Sequence, residues 1–205
     1  MESNAISPAQ RLLNRRILLV EDDAGLTERY DPNFRKEGAT IAVKRCMATA
    51  KDELMRNGDA YDLVILDIML PRSERDLTDI EKLDSALGET RRVIREHDDP
   101  GQHGTETLAA AYDKRTEILA ERERLIDDEG GLKVVVHWTE AGDPPGWRPP
   151  VLFLTSAGNE DAVTRGTELM NGRCKWYVKP VPDEKIIDMS IELIEHFGRG
   201  GEDNT

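Results

Sequence analysis

The sequence predicts an α/β protein: a doubly wound, five-stranded parallel sheet interrupted by a long helical hairpin. Three observations point there. Short, wholly apolar runs alternate with stretches of helical periodicity, which is how strands covered on both faces read. Four of these runs stop at charged or hydroxyl residues. From Ser73 to Glu129 the alternation gives way to two long amphipathic stripes.

In chain order, residues 1–14 are polar, contain Pro8 and read as a loose arm. Ile17 to Val20 is an apolar strand that closes on Glu21, Asp22 and Asp23. A helix pattern follows through Leu26, Tyr30 and Phe34, and Pro32 inside it predicts a kink or an early break. Thr40 to Val43 is the second strand. A helix around Ala48 to Arg56 is stopped by Asn57-Gly58-Asp59, and Leu63 to Leu66 is the third strand, leading into Asp67. After the interruption, Val151 to Leu154 is a fourth strand ending at Thr155-Ser156, followed by a helix near Glu160 to Met170. Lys175 to Val178 is a fifth strand ahead of Lys179. A last helix, Asp183 to Phe197, places Ile186, Ile187, Ser190, Ile191 and Ile194 on one face.

The interruption carries Leu77, Ile80, Leu83, Leu87 and Ile94 in its first half and Leu108, Ala111, Ile118, Leu119, Leu125 and Ile126 in its second, both at helical spacing. Asp98-Asp99-Pro100-Gly101 with Gly104 supplies a turn between them. Each arm of about 22 to 25 residues would extend roughly 33 to 37 Å. Arg115 and Arg122 break the second stripe, so the seam is no strict coiled coil. Intramolecular pairing and homodimerisation through the insertion both remain open. Gly131 to Thr139 resumes an amphipathic helix, and Gly142 to Pro150, with four prolines, reads as a rigid connector.

A formal charge of -13 over 205 residues disfavours nucleic acid and anionic membranes as partners, since a polyanion is repelled by the phosphates that supply that affinity. The insertion alone holds 17 acidic and 9 basic residues, a net of -8. Cys46 and Cys174 stand far apart without metal-ligand spacing and predict reduced thiols in a cytoplasmic protein. No apolar run approaches a membrane span or a secretory signal.

In an open parallel sheet the functional crevice lies beyond the carboxyl ends of the strands. Glu21, Asp22, Asp67, Thr155 and Lys179 all follow strands, so they are expected to converge. Two carboxylates about 4 Å apart repel by roughly 1 to 4 kcal/mol at effective dielectrics between 80 and 20. A hard divalent cation relieves that repulsion, and Mg2+ suits carboxylates, a backbone carbonyl and retained waters. A carboxylate oxygen of Asp67 could then attack an activated phosphoryl group, with Lys179 pairing with one phosphoryl oxygen and Thr155 donating to another.

The segments ILLVEDD (17–23), YDLVILDIMLP (61–71), VLFLTSA (151–157) and WYVKP (176–180) closely resemble the receiver domain of bacterial two-component response regulators. The resemblance covers about 130 residues, 15–72 and 130–198. It implies a stand-alone receiver over 15–200 with flavodoxin-like strand order 2-1-3-4-5, the 73–129 insertion within it, and a tail at 201–205. By the same resemblance Asp67 is the phospho-acceptor, Asp22 a direct Mg2+ ligand and Glu21 a ligand through water. The backbone carbonyl of Met69 would be a further metal contact, Thr155 the switch hydroxyl, Trp176 the switch aromatic and Lys179 the phosphate-binding lysine, with a cis Lys179-Pro180 peptide. Departures from the family pattern are the placing of Pro71 and Gly131 60 positions apart, Arg173 for a usual alanine, Val181 for a frequent phenylalanine, and Pro32.

The expected function is a phosphorylation-controlled switch. A histidine kinase or histidine phosphotransfer protein donates to Asp67, and a downstream protein reads the result, no DNA-binding output domain being expected. The protein is then no enzyme beyond its own phosphorylation and dephosphorylation. A phosphorylation-independent dimerisation scaffold is the alternative. A phosphatase with an aspartyl-phosphate intermediate would usually carry a second acid where Met69 stands.

Overall fold

Why the strands form is visible in their burial. The computed structural model describes residues 10–97, 105–141, 148–156 and 160–198. β3 (Leu63–Asp67) and β6 (Val151–Thr155) are buried at every position, and β1 (Arg16–Val20) at all but its first. Such residues need apolar cover on both sides of the sheet, and parallel crossover helices provide it. β2 (Thr40–Lys44) and β7 (Cys174–Val178) take the edges, giving a parallel sheet in the order β2-β1-β3-β6-β7. Counting these five strands alone, the order is the expected 2-1-3-4-5.

Alternate side chains of each strand feed two cores. On one face Leu18, Val20, Val64, Leu66 and Phe153 pack against α2 (Met47–Asn57), α5 (Gly130–Glu140) and α6 (Glu160–Leu169). On the other, Ile17, Leu19, Ile65 and Leu154 meet Tyr30 and Phe34 of α1 (Ala24–Lys36) and Ile186 and Leu193 of α7 (Asp183–Phe197). The buried face of α7 also includes Met189 and Leu193, while Ile191 is only partly buried. Each such side chain contributes roughly 1.5 to 3 kcal/mol by leaving water.

Two expectations are narrowed or overturned. α1 does not break early at Pro32 but runs on to Lys36. The proline removes one backbone donor, yet Tyr30 and Phe34 on either side of it are buried in the core, and Nδ2 of Asn33 ties the helix to the Arg29 carbonyl at 2.9 Å and to Asp183 at 2.9 Å. Nor do residues 10–14 belong to a loose arm. Leu12 is 1% exposed and its amide donates to the Glu37 carbonyl at 2.9 Å, so the segment plugs the open end of the α1 core. The rest of the expected arm, the turn at 98–104, residues 142–147 of the connector and the tail lie outside the described residues.

The insertion is a hairpin within one chain: α3 (Glu74–His97) packs along α4 (Thr105–Leu125). Ile80, Leu87, Thr90, Ala111 and Ile118 are buried in its seam. Its ends are fastened by a feature absent from the sequence reading, an antiparallel pair of two-residue strands, β4 (Leu70–Pro71) with β5 (Ile126–Asp127). Beneath it, Asp127 accepts both an Nζ bond from Lys133 at 2.8 Å and the Glu129 amide at 3.1 Å. The chain therefore re-enters the core where it left, and the amide of Gly131 donates to the Ile68 carbonyl at 2.9 Å. A Cβ at Gly131 would lie 2.2 Å from the Asp67 carbonyl oxygen, so only glycine fits there. Among the described residues no helix is long and apolar enough to cross a membrane.

Candidate functional site

Three strand ends deliver the site. β1 hands over to Glu21 and Asp22, β3 ends on Asp67, and β7 is followed by Lys179. Their in-register parallel pairing brings these ends level. Glu21, Asp22 and Asp67 each offer a carboxylate oxygen within 4.8 Å of the others. Glu21 is fully buried, Asp67 is 4% exposed, and Asp22 is partly buried.

The ammonium of Lys179 sits between the two buried acids. It donates to Asp67 Oδ2 at 2.8 Å and to Glu21 Oε1 at 3.0 Å, with Glu21 Oε2 at 2.7 Å. That last contact has the distance of an ion pair but not the angle of a hydrogen bond, so Oε2 is a buried carboxylate oxygen without a hydrogen-bond donor. Asp67 Oδ1 accepts the Met69 amide at 3.3 Å, and Glu21 Oε1 accepts the Asp23 amide at 3.3 Å. Asp23 itself caps α1, accepting the Leu26 amide at 3.1 Å.

One cation does not balance three acids. Burial, reinforced by the Asp67 charge, pushes Glu21 up to about 8 and Asp22 up to about 6, against the pull of Lys179. Burial raises Asp67 as well. For Lys179 burial works toward a lower pKa, but Asp67 and Glu21 outweigh it and raise the value. Glu21, Asp22 and Asp67, with an orphaned buried oxygen among them, fit a hard divalent cation, which takes oxygen ligands and relieves their repulsion.

The remaining predicted residues are placed with less direct contact. Thr155 is buried at the end of β6 beside Asp67, but its hydroxyl donates to the Ser156 carbonyl at 2.9 Å rather than to an acid. Met69 stands at the site through its backbone, while its sulfur accepts from the Ser156 hydroxyl at 3.0 Å. Trp176 lies on the edge strand, 44% exposed, and is not a core residue. The Lys179-Pro180 peptide is cis. Two residues at the site were not anticipated. Arg45 donates to the Asp22 carbonyl, and Arg122 acts on the Asp22 charge from the insertion. Arg122 had a signal, since it breaks an apolar stripe; Arg45, one arginine beyond a strand, had none.

Comparison with known proteins begins with solved structures. A two-component response regulator from Clostridium difficile superposes with a TM-score of 0.53 at 11% identity, covering 91% of this chain and 100% of that one. The chain has the fold of a response-regulator receiver domain. NtrX from Brucella abortus gives a TM-score of 0.50 at 15% identity, over 89% of this chain and 27% of its own. In sequence, the transcriptional activator protein PfeR of Pseudomonas aeruginosa is 45% identical over 56 residues, 27% of this chain. The match spans 18% of that relative's length. No family model matches the chain. In this receiver fold the hairpin is inserted between the third strand of the main sheet and α5, and two departures from the usual pattern find structural roles. Arg173 donates from Nη2 to the carbonyls of Arg148 and Phe197, both at 2.9 Å, holding the end of α7. Val181 is buried and offers its carbonyl to Arg29 Nη2 at 2.7 Å.

Proposed function

We propose that the protein is a phospho-accepting response regulator whose Asp67 receives a phosphoryl group from a histidine kinase or histidine phosphotransfer protein. The observation that carries this reading is the meeting of Asp67 with Glu21, Asp22 and Lys179 at the carboxyl end of the sheet. The segment shared with PfeR supports it.

Asp22, Asp67 and the Met69 carbonyl would hold Mg2+, with Glu21 acting through water. The ion would supply charge neutralisation for the carboxylates and the incoming phosphoryl oxygens. A carboxylate oxygen of Asp67 forms the new O–P bond while the P–N bond to the donor imidazole breaks, its electron pair returning to the ring nitrogen. Lys179, already 2.8 Å from Asp67, would shift to a phosphoryl oxygen. The Thr155 hydroxyl would leave the Ser156 carbonyl for a second one, moving the β6–α6 loop and biasing the surface that a downstream protein reads. Trp176 on the adjacent edge strand would report that movement to the partner. This work proceeds in the cytoplasm, where such donors act.

Incubation with acetyl phosphate or another small phosphodonor and Mg2+ tests the reading. Wild-type protein is expected to form a hydroxylamine-sensitive acyl phosphate, and Asp67→Asn to form none. Labelling retained in that variant overturns the assignment.

A further inference from the structure

The hairpin reaches the loop that carries Asp22 through Arg45. Arg45, just beyond β2, donates from Nε and Nη2 to the backbone carbonyl of Asp22 at 3.2 and 2.6 Å, and from Nη1 to Glu81 Oε1 on α3 at 2.6 Å. Glu81 is half exposed, so the pair is not there to satisfy a buried charge.

We propose that the insertion is a working part of the Asp67 site: Arg45, held by Glu81 of α3, positions the loop that carries Asp22. The inference rests on the phosphorylation of Asp67 proposed above. Two N–H groups on one carbonyl fix the peptide that follows Asp22, and with it the direction of the Asp22 carboxylate. Glu81 decides which way the Arg45 guanidinium faces. Arg45 is thus a positioning residue for the metal-binding loop, and its own anchor belongs to the hairpin.

The full-length chain and its Glu81→Gln variant test this, by calorimetric titration with Mg2+ and then with beryllofluoride at saturating Mg2+. Amide hydrogen exchange at residues 23–26 of the metal-free protein is the readout that needs no ligand. Glu81→Gln is expected to speed that exchange and to weaken Mg2+ binding about tenfold, the scale of losing an outer-shell partner. Unchanged loop exchange in Glu81→Gln overturns the Arg45 assignment. Wild-type protein that takes up no beryllofluoride overturns the phosphorylation reading, while loop exchange still decides the role of Arg45.

Discussion

Glu21 has no exposed surface, yet its side chain is an acid, and its folded pKa of about 8 lies above the ordinary 4.5. Between those two values the native state keeps a proton that the unfolded chain has released. The metal-free protein is therefore expected to lose stability as pH rises from about 4.5 to about 8. Glu21→Gln should flatten that decline in thermal melts and raise the metal-free melting point at pH 8, each kcal/mol appearing as about 2–4 °C for a chain of this size. The same variant should lose most of the melting-point rise that Mg2+ gives the wild type. Glu53 behaves oppositely. A 2.6 Å hydrogen bond from Tyr61 leads the causes that lower its pKa to about 2. Its contribution is present above pH 4.5 and is lost as pH falls toward 2. Tyr61→Phe should cost on the order of 1 to 3 kcal/mol at pH 6, and the difference from wild type should shrink in melts taken below pH 4.5.

At the scale of elements, Gly131 shows how closely α5 sits on the end of β3. Gly131→Ala is expected to push α5 off the sheet and displace Asp67, costing on the order of 1 to 3 kcal/mol in denaturant unfolding and slowing acyl-phosphate formation. The strands were legible because a segment covered on both faces must be apolar throughout, and the runs at 17–20, 63–66 and 151–154 admit no other reading. The arms of the hairpin were legible for a similar reason, since Ile80, Leu87, Ala111 and Ile118 return at helical spacing and meet in the seam. The clasp of Leu70 and Pro71 with Ile126 and Asp127 was not legible. Two residues show no period, and a proline argues against a strand unless the partner is known. Leu12 was misread on composition, and α1 does not break at Pro32, because tertiary burial decides both. Within the site, Glu21, Asp22, Asp67 and Lys179 were found because strand ends in a parallel sheet share one edge. Arg45 and Arg122 reach it through side chains and through the insertion, and no local pattern encodes such a reach.

Taken whole, the molecule is a receiver core with an acidic arm fastened by the β4–β5 clasp and braced by the Arg45–Glu81 pair. Because β4 and β5 pair antiparallel, replacing residues 72–125 by an Asn-Gly turn should give an ordinary two-residue β-hairpin at that point. The shortened protein is expected to melt in a single cooperative transition and to accept phosphoryl groups on Asp67 more slowly than the full chain, measured as the acyl-phosphate rate. An unfolded product would show that α3 and α4 are needed to cover the core. Sedimentation of the two forms separates homodimerisation through the arm from a monomeric hairpin.

The clasp also sets a mechanical ratio. α3 has 24 residues and is about 36 Å long. Pivoted at the joint beside Asp67, such a rod magnifies small rotations: a tilt of about 10° at the base sweeps the far tip through about 6 Å, given that length. A sub-ångström adjustment around one carboxylate would thus become a displacement the size of a side chain at the outer end of the arm.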